Sequence, residues 1–267
     1  MIVSASRRTD IPALFSEWFY NRVGKGFVLL RNPYNPLQVG RVALTPDKVD
    51  GFVFWTKNAA PMLGRIHELD AFKFYFQYTI TPYGQDVEKN IPDKYEVVIP
   101  AFKKIGADKA IWRYDPVFIN DRYTWDYHIR AFTRLAETLE GHTHKAVMSF
   151  VDSYRSVDLR PLNIQPLTPE QQREFAQQLF EIAAQHGIVL SSCAETWESP
   201  IPAVWTGRCS ELKSRRIATS GVCANALRAL TSAHTALAAT AALTAMQTIT
   251  ATFKPRPVWI ATFWGRP

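Results

Sequence analysis

Short apolar runs alternate with longer amphipathic stretches along the first 195 residues. The runs are rich in β-branched and aromatic residues and predict strands over residues 2–6, 27–31, 52–56, 72–79, 110–114, 146–151 and 188–193. The stretches between them predict helices over residues 11–24, 59–69, 92–105, 124–139 and 169–185. Continuous apolar runs are typical of strands that are buried on both faces, as in parallel sheets covered by helices.

The helix over residues 169–185 has the clearest signals. Thr168 is predicted to cap its N-terminus, Pro169 suits the first helical position, and Gln171 completes a capping box. Apolar residues recur on one face at helical spacing, and Gly187 is predicted to end the helix.

The alternation of strands and helices predicts an α/β fold. Seven β–α alternations favour a (β/α) barrel, TIM-like and either complete or incomplete. A doubly wound open sheet is the alternative. No G-x-G-x-x-G follows the first strand, which disfavours a dinucleotide-binding version of that alternative.

The composition changes after about Glu195. No Asp or Glu follows Glu211, and residues 217–251 contain 12 Ala and 7 Thr without helical or strand periodicity. We therefore predict a barrel domain over residues 1–197 and an aberrant basic tail over residues 198–267, irregular and poorly ordered.

The net charge of +7 lies almost entirely in this tail. Residues 198–267 hold eight Lys or Arg and two Asp or Glu, whereas residues 1–197 hold 23 and 22. The nearly neutral body disfavours a nucleic-acid surface. The N-terminus carries no long apolar run, and three cysteines with spacings of 16 and 14 residues match no zinc or haem pattern. These features predict a cytoplasmic protein with no membrane segment and no metal ligands in this chain.

Polar residues gather at the predicted carboxyl ends of the strands, which meet at one mouth of a barrel. Several cations, carboxylates and amides there suit an anionic or strongly polar small molecule. The candidate substrate-binding residues are Arg7, Asp10, Arg31, Gln77, Tyr78, Arg113, Tyr114 and Asp152. Lys57, just past a buried strand, is a candidate contact for a carboxylate or phosphate. Two alternatives stay open: Asp10 as a helix cap, and Arg113 with Asp115 as a structural ion pair.

Six strings in this chain resemble the bacterial family known as domain of unknown function 1848: SASRRTDIP, GFVLLRNPYNP, FVFWTKNAAPML, FYFQYTITPYG, AIWRYDPV and VLSSCAE. They occur in order over about 195 residues. Members of that family normally end with a C-x3-C-x2-C motif, which is similar to the cluster motif of radical S-adenosylmethionine enzymes. Its position at the end of the barrel suggests a circularly permuted relative.

The resemblance implies a [4Fe–4S] cluster, S-adenosylmethionine and a substrate in the barrel mouth. It also implies cofactor contacts by Arg8, Lys57 and Asn58, and catalytic roles for Asp115 and Glu195. This chain lacks the cysteine motif, so we expect no cofactor in it and an inactive product. Two alternatives remain: a cluster-independent hydrolase or lyase acting on an anionic small molecule, with Asp115 or Glu195 as base, and a non-catalytic nucleic-acid-binding protein.

A shift of one base in the gene offers an explanation for the tail. Alanine codons begin with GC. When the reading frame moves by one base, the last two bases of a cysteine codon TGC become the first two bases of an alanine codon. Three residue pairs can encode TGC across their boundary at the C-x3-C-x2-C spacing: Leu237-Ala238, Ala241-Ala242 and Thr244-Ala245. We therefore hypothesise a frameshift, in the gene or its sequencing, between about Thr196 and Arg215.

Overall fold

The computed structural model describes residues 1–5, 9–31, 35, 37–151 and 158–192, with only the backbone of Arg31. The strands are β1 (Ile2–Ser4), β2 (Phe27–Arg31), β3 (Val39–Ala43), β4 (Gly51–Thr56), β5 (Phe74–Thr79), β6 (Ala110–Val117), β7 (Lys145–Phe150) and β8 (Val189–Ser192). The α-helices are α1 (Ile11–Leu14), α2 (Ser16–Gly24), α3 (Ala60–Leu63), α4 (Ile99–Ile105), α5 (Trp125–Leu139) and α6 (Pro169–Gln185). Short 3-10 turns at Ile66–Leu69 and Arg160–Leu162 and a π-helical turn at Lys94–Val98 complete the elements.

Six of these strands form one parallel sheet in the order β1-β4-β5-β6-β7-β8. Each strand after β4 pairs with the strand that precedes it in the chain, and every pairing is parallel. The order never reverses, whereas a doubly wound sheet requires a reversal at its switch point. The mixed α/β class and the parallel sheet are confirmed, while closure into a barrel stays a prediction.

One face of the sheet carries the helices. Aromatic rings from four helices pack against it: Phe19 of α2 on Phe52 and Phe54, Phe102 of α4 on Tyr78, Phe132 of α5 on Trp112, and Phe175 of α6 on Phe150. Because side chains alternate between the two faces of a strand, the odd-numbered neighbours of these strand residues point to the opposite face. This second face is where the candidate site lies.

The strand over residues 27–31 is present, but it does not join the parallel sheet. It pairs with β3 in a separate antiparallel hairpin, with Leu29 opposite Arg41. Leu29 and Leu30, on opposite faces of β2, are each about half exposed, and Leu37 is 94% exposed. The sequence-based placement of this run as a buried barrel strand was therefore wrong, and the strand β3 was not predicted.

The helices agree with the sequence pattern to different degrees. The α6 helix spans the predicted residues, with Thr168 and Gln171 forming both hydrogen bonds of the capping box. The helix predicted over 11–24 is instead divided at Phe15, which ends α1 and precedes α2. Within the described ranges, none of the helices combines the length and hydrophobicity that a bilayer crossing needs.

Candidate active site

Three neighbouring strands place Trp55, Gln77 and Arg113 on the face opposite to the helices. Trp55 and Gln77 are paired in the register of β4 and β5. The Arg113 guanidinium lies 4.9 Å from the centre of the Trp55 ring, and its Nη1 donates to Gln77 Oε1 over 3.2 Å. The sequence predicted that Gln77 and Arg113 share a site, and the structure brings them into contact.

Arg113 also forms a buried ion pair with Asp115, two residues further along β6. Its Nε donates to Asp115 Oδ2 over 2.9 Å, and Nη2 contacts the same oxygen. Both side chains are about 95% buried. Removing one partner of such a pair leaves an uncompensated buried charge, which typically costs about 3–5 kcal/mol. The ion pair therefore fixes the guanidinium beside Trp55.

A second buried charge cluster lies past the carboxyl ends of β4 and β5. Lys57 forms an ion pair with Glu88 Oε1, which also accepts a 2.8 Å hydrogen bond from the Thr81 hydroxyl. Lys94 Nζ lies 2.7 Å from Glu88 Oε2 and donates to the main-chain oxygens of Thr81 and Tyr83. Glu88 is 4% exposed and Lys57 13%.

These contacts determine the ionisation of the cluster. Burial alone would raise the pKa of Glu88, but the charges of Lys57 and Lys94 outweigh burial and hold its pKa below the usual value. Burial lowers the pKa of Lys94, and Glu88 opposes that shift. The carboxylate of Glu88 is therefore ionised at neutral pH and holds two ammonium groups.

Asp10 has the capping role that the sequence left open. Its Oδ1 accepts from the Ala13 main-chain N–H over 3.0 Å and caps α1, and its Oδ2 accepts from the Lys57 main-chain N–H over 2.8 Å. Burial raises the pKa of Asp10 against the lowering effect of these hydrogen bonds. Asn58 Oδ1 accepts from the Ala60 main-chain N–H in the same turn. Asp10 thus ties the start of the chain to the end of β4.

Tyr78 and Tyr114 were expected to line the mouth, and the structure corrects this. Both are fully buried on the helix-covered face. Tyr78 donates to the Val98 carbonyl over 3.0 Å, and the Tyr114 hydroxyl lies 2.8 Å from His128 Nδ1. Strand alternation explains the error, because each tyrosine neighbours a residue that points to the other face.

Several predicted site residues cannot be placed. Arg7, Arg8, Asp152 and Glu195 lie outside the described residues, as does the side chain of Arg31. The backbone of Arg31 belongs to the hairpin rather than to the parallel sheet, so its predicted position on a barrel strand was wrong. Asp115, Lys57, Asn58 and Gln77 retain their predicted roles as predictions.

The sequence analysis missed Glu88, Thr81 and Lys94. Thr81 and Glu88 follow β5 in a segment without strand or helix periodicity, and Lys94 begins the π-helical turn near the start of the helix predicted over residues 92–105. One signal was available in the sequence. A buried lysine such as Lys57, just past β4, requires a counter-charge, and Glu88 is an acidic residue in the segment that follows the next strand, β5. Only the tertiary structure shows which carboxylate takes that position.

The described residues offer no ligand set for a metal or cluster. Nowhere in them do three His, Cys, Asp or Glu side chains converge in a way that could hold a metal ion. All three cysteines, Cys193, Cys209 and Cys223, lie outside the described part, and their spacing does not fit a C-x3-C-x2-C cluster motif. The donors of this chain therefore do not fit the cluster that the resemblance implies.

The fold and the site together define a parallel α/β protein with a polar, charge-paired region near the carboxyl ends of its strands. Residues 2–226 match the family model described as Domain of unknown function (DUF1848), and the chain belongs to that family. No curated protein matches the sequence significantly.

Among solved structures, the chain is similar to a domain of pyruvate-formate lyase-activating enzyme from Bacteroides vulgatus ATCC 8482. The two are 13% identical, and the superposition covers 72% of this chain and 97% of that chain with a TM-score of 0.42. A superposition this loose carries no argument about the function of this chain.

Proposed function

We propose that this chain is the barrel part of a radical S-adenosylmethionine-like family member, and that its polar sheet face binds an anionic or strongly polar small molecule. The contact of Arg113 with Trp55, Gln77 and Asp115 carries the binding part of the proposal. A guanidinium group carries a planar set of donors that suits a carboxylate or phosphate, and that of Arg113 lies over the Trp55 indole ring.

The proposed relation to radical S-adenosylmethionine enzymes rests on the family membership and on the cysteine motif that the resemblance implies. This chain lacks that motif, so no reaction step through a cluster is derived for it. The family match ends at residue 226, before the pairs beginning at Leu237, Ala241 and Thr244 that can encode cysteine in a shifted frame. The match also runs past the interval between about Thr196 and Arg215 in which we place the frameshift, so that hypothesis depends on the codon argument and not on the family match.

Anaerobic reconstitution with iron and sulfide tests the proposal on two matched chains. The first is this chain, and the second is the product of a single-base change that restores the cysteine motif. We expect about four irons per restored chain and no stoichiometric cluster in this chain, because three thiolates are needed to hold a [4Fe–4S] cluster with one open iron.

Two results would contradict this expectation. A stoichiometric cluster in the chain as given would show that its existing cysteines suffice. Failure of every single-base change between codons 196 and 215 to restore the motif, established by resequencing the gene, would refute the frameshift hypothesis.

A further inference from the structure

Lys94 and Lys57 both contact Glu88, but they use their ammonium groups differently. Lys94 Nζ donates to the main-chain oxygens of Thr81, over 2.7 Å, and of Tyr83, and it lies 2.7 Å from Glu88 Oε2 as an ion pair. Two of its three N–H donors are thus hydrogen-bonded to the main chain. Its role is to hold the segment after β5 against the strand ends.

Lys57 Nζ is not saturated by the part of the chain that the structure describes. Its one hydrogen-bonding partner there is Glu88 Oε1. Two N–H donors remain on a side chain that is only 13% exposed. Donors in such a position are costly to leave without acceptors, since bulk water reaches them poorly. Within the described residues these two donors have no acceptor, so acceptor atoms of a bound molecule can take that position.

The position of Lys57 brings it close to the polar sheet face that we propose as the binding site. Thr56 pairs with Tyr78 in the register of β4 and β5, which places Lys57 beside Thr79, and Thr79 pairs with Arg113. Lys57 and Arg113 thus lie in one row across the sheet with one strand between them, so their backbones are about 10 Å apart. A small molecule can span that distance.

We infer that Lys57, oriented by Glu88, is the oxyanion-binding residue beside this sheet face and receives a carboxylate or phosphate group. This inference rests on the proposed binding function of the same face. Glu88 is a positioning residue, because it holds the ammonium without occupying all of its donors. Glu88 offsets part of the charge of Lys57 and Lys94. We therefore expect direct charge-assisted hydrogen bonds to supply most of the binding energy.

Titration of the full chain with inorganic phosphate and, separately, with acetate tests this inference by isothermal calorimetry. Lys57→Met keeps the length of the apolar stem and removes the donors. We expect it to weaken binding of the preferred anion at least about tenfold, the effect of losing one charge-assisted hydrogen bond. Lys104→Met, on the exposed side of α4, is the matched control and should bind as the unchanged chain does.

A second variant guards against misfolding. Lys57→Met leaves the Glu88 carboxylate with one cation fewer. The double variant Lys57→Met/Glu88→Gln removes both members of the ion pair, and it should bind the anion as weakly as Lys57→Met does. Anion binding that survives in both variants overturns the inference, as does the absence of binding of either anion to the unchanged chain. If Arg113→Gln/Asp115→Asn abolishes binding while the Lys57 variants keep it, the proposed binding face stands and the assignment of Lys57 fails.

Discussion

His128 is completely buried in the helix layer, and both of its ring nitrogens have partners. Nδ1 lies 2.8 Å from the Tyr114 hydroxyl, and Nε2 lies 3.0 Å from the Phe118 carbonyl oxygen. The carbonyl requires a donor, so Nε2 carries the proton and Nδ1 accepts from the tyrosine. Burial lowers the pKa of His128 from 6.5 to about 4. The neutral imidazole is therefore part of the packed core.

This histidine predicts a loss of stability in mild acid. Its pKa is lower in the folded state, so the unfolded chain binds the proton first and the free energy of unfolding falls as the pH drops from about 6.5 towards 4. The shift corresponds to about 3 kcal/mol at the lower limit. Urea unfolding at several pH values measures this fall. His128→Gln should flatten the dependence between pH 6.5 and 4.5, and an unchanged slope would contradict the prediction.

At this scale the sequence indicated which polar residues follow the strands, but of their partners it suggested only the Arg113–Asp115 pair. Arg113 and Asp115 were identified because they end a buried strand, and they form the pair that was considered. Glu88 was missed because its position against Lys57 depends on how the segment after β5 folds back. The tyrosines were misplaced because the exact phase of a strand decides which face each side chain takes.

At the scale of elements, α6 was predicted to its end residues because its start depends on local chemistry. The Thr168 hydroxyl accepts from the Gln171 main-chain N–H, and the Gln171 side chain accepts from the Thr168 N–H over 2.9 Å. The β2–β3 hairpin was misjudged because F-V-L-L-R has the apolar pattern of a buried strand. Only its antiparallel partner shows that these leucines are partly exposed, and V-G-R-V-A carries too little apolar character to predict that partner.

The cap of α6 gives a prediction for this element. Thr168→Ala removes the hydroxyl acceptor and should lower the free energy of unfolding by about 1 kcal/mol, the usual effect of losing an N-cap. Glu174→Ala, on the exposed surface of the same helix, is the control and should change stability by less than about 0.5 kcal/mol. Denaturant unfolding compares the two, and equal effects would show that the cap does not stabilise the helix.

At the scale of the whole molecule, the main core cluster among the described residues extends from Ala5 to Leu190. All six strands of the parallel sheet end before residue 193. The predicted domain boundary at residue 197 lies just beyond this core. The family match continues to residue 226, so the two boundaries differ and can be tested against each other.

Truncation after residue 197 provides that test. We expect residues 1–197 to unfold within about 4 °C of the full chain, the shift that about 1 kcal/mol produces in a domain of this size. Circular dichroism on heating measures both midpoints. A larger fall in Tm, or precipitation of the shortened chain, would show that residues after 197 stabilise the core or cover a strand edge.

The strand order also has a consequence during synthesis. Each strand from β5 onwards pairs with the one made just before it, so the sheet can grow in the direction in which the ribosome works. A change of reading frame after codon 196 would then affect only a part of the chain that is made after all six strands of the sheet. Quality control in the cell would meet a mostly assembled protein with a faulty end rather than an unfolded polypeptide.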